Sequence, residues 1–297
     1  MKELICLEPI EKHLIWGKET WVVSGNPQGD CEIQTEGWNA KTLSELWSTQ
    51  REVFGGMKEK EFPLLVKVID TKKDLSIQVH PNDQYAYANE HGKKGKNECW
   101  YILDCEKNAS VILGHYAKSK QEFTQEVENG QWKTLLREVP VHPGDFIQID
   151  AGTLHAIKGG IKLLEIQQNS TITYRLYDYD RLENGKKREL QTAKALEVVR
   201  VPAKPVEQCV KHKINQEKNS KYVLIQHPCY TIWRMELEKN CYIKQKEPFL
   251  ILNVINGEGS IGDLKVGKGD HILVPQEYGI IGLKGRMELI GASCQMR

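Results

Sequence analysis

Residues Leu75-Ser76-Ile77-Gln78-Val79-His80-Pro81 constrain this chain more than any other stretch. They alternate. Leu75, Ile77 and Val79 fall on one face of an extended strand, and Ser76, Gln78 and His80 fall on the other. Pro81 cannot donate to a ladder and ends the pairing. A hydroxyl, an amide and an imidazole on the inner face of a barrel are costly unless a polar occupant satisfies them. A metal ion with a small polar substrate is such an occupant. A surface hairpin with a polar outer face reads the same way from this stretch alone.

The rest of the chain is a series of short extended runs separated by turns. Strands are expected at Trp21–Val23, Cys31–Gln34, Phe62–Ile69, Glu98–Leu103 and Ser110–Leu113, and again at Phe146–Ile149, Ile161–Gln167 and Thr171–Tyr179. Helical patterns are fewer. One opens at Thr42 and runs to Gly55-Gly56, one covers Asn82 to Glu90, one covers Ser119–Gly130 and one covers Arg188–Val199. Val201-Pro202-Ala203-Lys204-Pro205 has the composition of a linker. Strands then return at Tyr222–Gln226, Tyr230–Glu238, Phe249–Ile255, Gly259–Ile261, His271–Val274 and Met287–Ile290.

An echo links the two parts. Pro143-Gly144-Asp145 feeds a hydrophobic strand that ends at Ala151-Gly152, and Lys268-Gly269-Asp270 feeds one that ends at Pro275. Asn256-Gly257-Glu258-Gly259 reads as a hairpin turn before the second of these. Many short strands, glycine turns and few helices fit a mainly β protein of two cupin-type jelly-roll barrels. The expected division is a catalytic barrel over 1–200 and a smaller barrel over 201–297. Aligning the two Gly-Asp turns puts Ile280 where His155 sits, so the second barrel has no ligand there.

Gln78, His80, Glu98 and His155 form a set. Two lie on one strand face, Glu98 comes eighteen residues after His80 on the next strand, and His155 follows a glycine turn. Imidazoles with a carboxylate suit Zn²⁺, Fe²⁺, Mn²⁺ or Ni²⁺, and a neutral amide is a weak fourth ligand that leaves room for substrate. His13, His91, His115, His142, His212, His227 and His271 stand outside any such pattern and read as ordinary surface or satisfied histidines.

A basic group accompanies the set: Lys67, Lys96, Arg175 and Arg181. Lys96 shares a strand face with Glu98. A cation beside a metal inside a barrel is costly unless an anion joins it, and a phosphate would justify it. Arg175 and Arg181 are equally able to pair with Asp178, Asp180 or Glu183 at the surface.

Composition narrows the partners. Lys and Arg total 41 against 40 acidic residues, so no strong field favours nucleic acid or an anionic membrane. No apolar run reaches the length of a membrane span, and the N-terminus is broken by charges and lacks a signal-peptide core. The eight cysteines include no C-x-x-C pair, which fits thiols in a reducing cytoplasm.

Taken in order, Leu75 to Asp83, Lys96-Asn97-Glu98-Cys99-Trp100-Tyr101, Gly152-Thr153-Leu154-His155-Ala156-Ile157, Glu165-Ile166-Gln167-Gln168 and Thr173 to Asp178 closely resemble the type I phosphomannose isomerases in their short bacterial form. The likeness runs through about residues 8 to 200. It implies a zinc-dependent aldose–ketose isomerase that interconverts mannose 6-phosphate and fructose 6-phosphate through a cis-enediol. By position it implies Gln78, His80, Glu98 and His155 as metal ligands and Arg175 and Lys96 as active-site residues. Glu165 matches a carboxylate beside the site, and Ser76, Lys67 and Arg181 match pocket and phosphate contacts. Arg181 stands where longer members carry Lys, and it can grip a phosphate bidentately. Lys96, Glu165 or a metal-bound hydroxide could handle the proton, and the residues do not choose among them.

Two rival classes share the layout. A cupin dioxygenase usually shows three histidines with a glutamate, and Gln78 in place of one favours a redox-silent ion. A sugar-binding cupin without catalysis would lack the Lys96/Arg175 pair. The expected partner is a small sugar phosphate, with no nucleic acid or membrane partner, and the expected state is a monomer or a weak homo-oligomer in the cytoplasm.

Overall fold

The computed structural model describes residues 3–212 and 217–294. Contacts group the chain into two units, Met1–Ile10 with Trp21–Val66 and Ile214–Arg297, and Glu11–Thr20 with Lys67–Lys213. This grouping departs from a contiguous division at residue 200. Ile5–Cys6 pairs with Leu273–Ile272, and Trp47, Phe54, Phe62 and Phe249 form one chain of ring contacts, which ties early residues to the C-terminal strands. The Pro-containing stretch at 201–205 is docked instead of loose: Arg137 Nη2 donates to Lys204 O at 2.6 Å, and Val210–Lys211 pairs with Ile147–Phe146.

The unit holding Lys67–Lys213 is built on two sheets. In one, Val210–Lys211, Phe146–Ile149, Glu98–Cys105, Ile161–Gln168 and Leu64–Thr71 lie side by side in that order. In the other the order is Tyr174–Tyr177, Ile77–Val79, His155–Ile157, Ser110–His115 and Leu136–Pro140. Alternate residues of both sheets meet in one core of Ile69, Trp100, Ile102, Val111, Leu113, Ile147, Ile149, Ile157 and Leu163. The intervening residues Ile77, Val79, Ile112 and Ala156 pack on the opposite side with Phe123 and Val127 of the helix Lys120–Glu128 and Ala195 of the helix Thr192–Val198. This is the facing-sheet arrangement of a jelly roll.

The other unit carries a single eight-stranded antiparallel sheet dominated by two long strands, Phe249–Ile261 and Ile280–Ser293. Its core gathers Trp233, Leu237, Leu252, Val254, Ile272, Leu283 and Leu289.

Helix starts follow local capping. Thr42 Oγ1 accepts from Glu45 N at 3.3 Å to open Leu43–Thr49, and Asn82 Oδ1 accepts from Tyr85 N at 2.8 Å to open Asp83–Asn89. Among the described residues, no helix is long and apolar enough to cross a membrane.

Several expected elements differ. Cys31–Gln34 forms only isolated bridges at Glu32 and Ile33. The strand from Leu75 is shortened to Ile77–Val79, and Leu75 joins the core between the sheets because its N–H goes to Ile157 O at 2.8 Å. The last helix starts at Thr192, not Arg188, because Gln191 N is held by Arg175 O at 2.8 Å.

Asn256-Gly257-Glu258-Gly259 is no hairpin turn. It continues the strand Phe249–Ile261 with a register shift between Val254 and Asn256, and the turn comes at Gly262-Asp263. The glycines serve close backbone approach. A Cβ on Gly257 would stand 2.1 Å from Arg286 O, and one on Gly259 2.0 Å from Lys284 O.

Candidate active site

Antiparallel register brings the polar residues together. His155 lies opposite Gln78, and Gln78 is flanked on its other side by Arg175. In the facing sheet Glu98 stands opposite Gln167, and Trp100 opposite Glu165. The residues before and after Gln78, Ile77 and Val79, turn away into the helix-covered cluster, so the pleat aims Gln78 into the space between the sheets.

His80, Glu98 and His155 are all wholly buried. One ligand atom from each lies within 4.8 Å of the others. His155 Nε2 stands 3.2 Å from Glu98 Oε1, and His80 Nε2 stands 3.6 Å from Glu98 Oε2. Gln78 Nε2 is 3.3 Å from His155 Nε2, and rotation of the amide presents its oxygen there instead.

Three observations bear on whether these groups fit a metal ion. His155 Nδ1–H donates to Thr153 O at 2.8 Å, which leaves the Nε2 lone pair facing Glu98. Both oxygens of the wholly buried Glu98 face only the ammonium of Lys96 and the ring nitrogens of His80 and His155. Two imidazoles, a carboxylate and an amide form the donor set of a divalent-ion site with an open position. The ligand atoms converge on one point, with the Lys96 ammonium beside it, and a divalent cation there is what they fit.

Charge supports this. Burial by itself raises the Glu98 carboxyl, yet the charge of Lys96 holds it well below the usual carboxylate range. Burial and the Lys96 charge push the His80 imidazole well below its usual value, so it is neutral, as a ligand must be. Lys96 Nζ stands 2.7 Å from Glu98 Oε2 and 3.3 Å from His80 Nε2.

Two branches leave this centre. On one side Ser76 Oγ donates to Gln78 Oε1 at 3.5 Å and accepts from Arg175 Nε at 3.3 Å. On the other, the Trp100 ring meets His155 edge-on with centroids 5.6 Å apart, and its indole N–H donates to Glu165 Oε2 at 3.0 Å. Lys67 Nζ lies 3.1 Å from Glu165 Oε1 and 3.7 Å from Glu19 Oε2. Although burial opposes it, Glu19 and Glu165 keep the Lys67 ammonium charged, above its usual pKa.

Gln78, His80, Glu98, His155, Lys96, Ser76 and Arg175 therefore form one bonded group, with Glu165 and Lys67 joined to it through Trp100. Arg181 is placed differently. It pairs with Asp178, donates to Asp74 O and stacks over the Tyr179 ring at 5.0 Å. Sequence reasoning passed over Trp100 and Glu19. Trp100 stands two positions after Glu98 and shares its strand face, the signal that would have found it. Glu19 carries no comparable local signal.

Comparison with known proteins points one way. Residues 10–111 match the family model "Phosphomannose isomerase type I, catalytic domain", and residues 221–293 match "Mannose-6-phosphate isomerase, cupin domain". Mannose-6-phosphate isomerase ManA of Bacillus subtilis is 41% identical over 97% of this chain and 98% of its own length. Mannose-6-phosphate isomerase of Streptococcus mutans is 36% identical over 92% of this chain and 87% of its own. The crystal structure of the mannose 6-phosphate isomerase from Bacillus subtilis superposes with a TM-score of 0.89 at 38% identity, covering 98% of this chain and 99% of that one. The apo mannose 6-phosphate isomerase from Salmonella typhimurium, at 15% identity and a TM-score of 0.78, shares the fold. With near-complete coverage at such identity, the chain belongs to the type I phosphomannose isomerase family.

Proposed function

We propose that this chain interconverts mannose 6-phosphate and fructose 6-phosphate through a cis-enediol, with one zinc ion held by His80, Glu98, His155 and Gln78. The carrying observation is the convergence of the three buried ligand atoms within 4.8 Å. The family supplies the substrate class. A divalent ion held by these residues would supply Lewis acidity toward the sugar oxygens.

The reaction moves one proton between C1 and C2 of the open-chain sugar. Lys96 Nζ, as the uncharged amine, is assigned to take that proton from one carbon and return it to the other. It stands against Glu98 and His80, within reach of anything seated on the ligand set. Arg175, its Nε held by Ser76, faces the negative charge of the sugar phosphate. Glu165 accepts from Trp100 and pairs with Lys67, so its part is to orient the indole and keep Lys67 in the pocket wall. Trp100 and the closed core behind it exclude water from this side.

A coupled assay for fructose 6-phosphate tests the reading. Protein stripped with a chelator is expected to be inactive on mannose 6-phosphate and to recover on adding zinc. Protein that binds zinc yet leaves mannose 6-phosphate unchanged would overturn it.

A further inference from the structure

Asp178 is shared by two arginines. Arg188 grips it with a fork, Nε to Oδ2 at 2.7 Å and Nη2 to Oδ1 at 2.6 Å. Arg181 adds Nη2 to Oδ1 and Nε to the Asp178 carbonyl at 3.2 Å. The Asp178 side chain is 5% exposed and that of Arg188 13%. Arg181 is then fully used, because its Nη1 donates to Asp74 O.

Arg188 is not. One edge of its guanidinium holds Asp178, and its Nη1 has no acceptor among the described residues. Arg175 is in the same position. Its Nε goes to Ser76 Oγ and its Nη1 to Glu189 O at 2.9 Å, while Nη2 has no acceptor among the described residues. Glu189 follows Arg188 directly, and Gln191 clasps the Arg175 backbone through N to O at 2.8 Å and Oε1 to N–H at 3.1 Å. Residues 188–191 thus fold Arg188 onto the Arg175 strand.

Asp178 answers only one edge of Arg188, and like-charged guanidiniums on adjoining segments that each keep a free nitrogen favour a further anion. Burial lowers the Arg175 guanidinium first, and Arg188 is the next influence in the same sense, ahead of the opposing Asp178 and Glu183. Lys187 and Asp180 pair with each other at 2.6 Å and add nothing net. A phosphomonoester carries close to two negative charges at neutral pH and offers planar oxygen pairs to arginine forks.

We infer that Arg188, braced by Asp178, offers its Nη1 together with Arg175 Nη2 to the phosphate of the substrate, and that Arg181 braces Asp178 instead of meeting the phosphate. The inference rests on the sugar-phosphate reading above. It names a residue between Arg181 and the final helix that the reaction needs for substrate recognition.

The test uses the full zinc-loaded chain with Arg188→Gln. KM for mannose 6-phosphate is expected to rise about tenfold or more, with a smaller change in kcat. Inorganic phosphate is expected to inhibit the parent competitively and raise its thermal midpoint, and to do neither with the variant at the same concentration. A folded Arg188→Gln protein with parental KM and parental phosphate protection overturns the inference. Should that variant fail to fold, Arg188→Lys decides, since it keeps the charge without the fork: a raised KM is expected, and a parental KM overturns the assignment. A parent inert on mannose 6-phosphate defeats only the functional reading, because phosphate protection still reads the Arg188 site.

Discussion

Lys67 Nζ lies 3.1 Å from Glu165 Oε1, and both side chains are almost wholly buried. Neither residue is near the other in sequence. Each charge offsets the cost of burying the other, and Glu165 also accepts the Trp100 indole N–H that backs His155.

Removing one partner therefore leaves a buried charge less well compensated. Glu165→Leu is expected to cost about 3 kcal/mol of folding stability by taking one of the carboxylates from the buried Lys67. Lys67→Met in the same chain is expected to recover most of that loss. Urea unfolding of the parent, both single variants and the double variant measures the coupling, and purely additive losses would contradict it.

The glycines of the long strand Phe249–Ile261 make a second prediction. Gly257 has φ 77°, and a Cβ there or on Gly259 would meet backbone oxygen at 2.1 or 2.0 Å. Backbone cannot swing aside, so Gly257→Ala and Gly259→Ala are each expected to cost about 2 kcal/mol or more. Gly267→Ala, where a Cβ meets nothing within 4 Å, is the control and is expected to change stability little. Thermal unfolding separates the two cases; equal midpoints for all three variants would refute the close-approach argument.

The third prediction concerns acid. His271 Nδ1–H donates to Asn253 Oδ1 at 2.7 Å, and burial pushes its imidazole down to about 4 from the ordinary 6.5. Between those values the unfolded chain binds a proton that the folded chain refuses, so stability falls as pH falls. The contribution is whole above about pH 6.5 and is lost progressively down to about pH 4, at most roughly 3 kcal/mol. In urea titrations at several pH values, the stability gap between the parent and His271→Gln is expected to narrow through that window. A gap that stays constant would show that His271 titrates normally.

The shared facing of Gln78 with His80, and of Lys96 with Glu98, was readable because strand alternation is a local backbone property with a period of two residues, whereas the joining of His155 to them was implied by the family resemblance. Helix starts at Thr42, Asn82 and Ser119 were readable for the same kind of reason: a capping side chain acts within three residues. The glycine run at 256–259 was not, since a glycine needed for a turn and one needed for close approach look identical until the opposing strand is known.

By itself the sequence determined a mainly β chain, its turns, and a polar strand face carrying ligand-type residues. Only the tertiary structure decided that Trp100 would meet Glu165, 65 positions away, that Lys67 would settle between two carboxylates, and that Asp178 would gather Arg181 and Arg188. Those pairings depend on the register between distant strands and on where a loop folds back. No short-range periodicity encodes either; they are set when the whole set of buried contacts is satisfied at once.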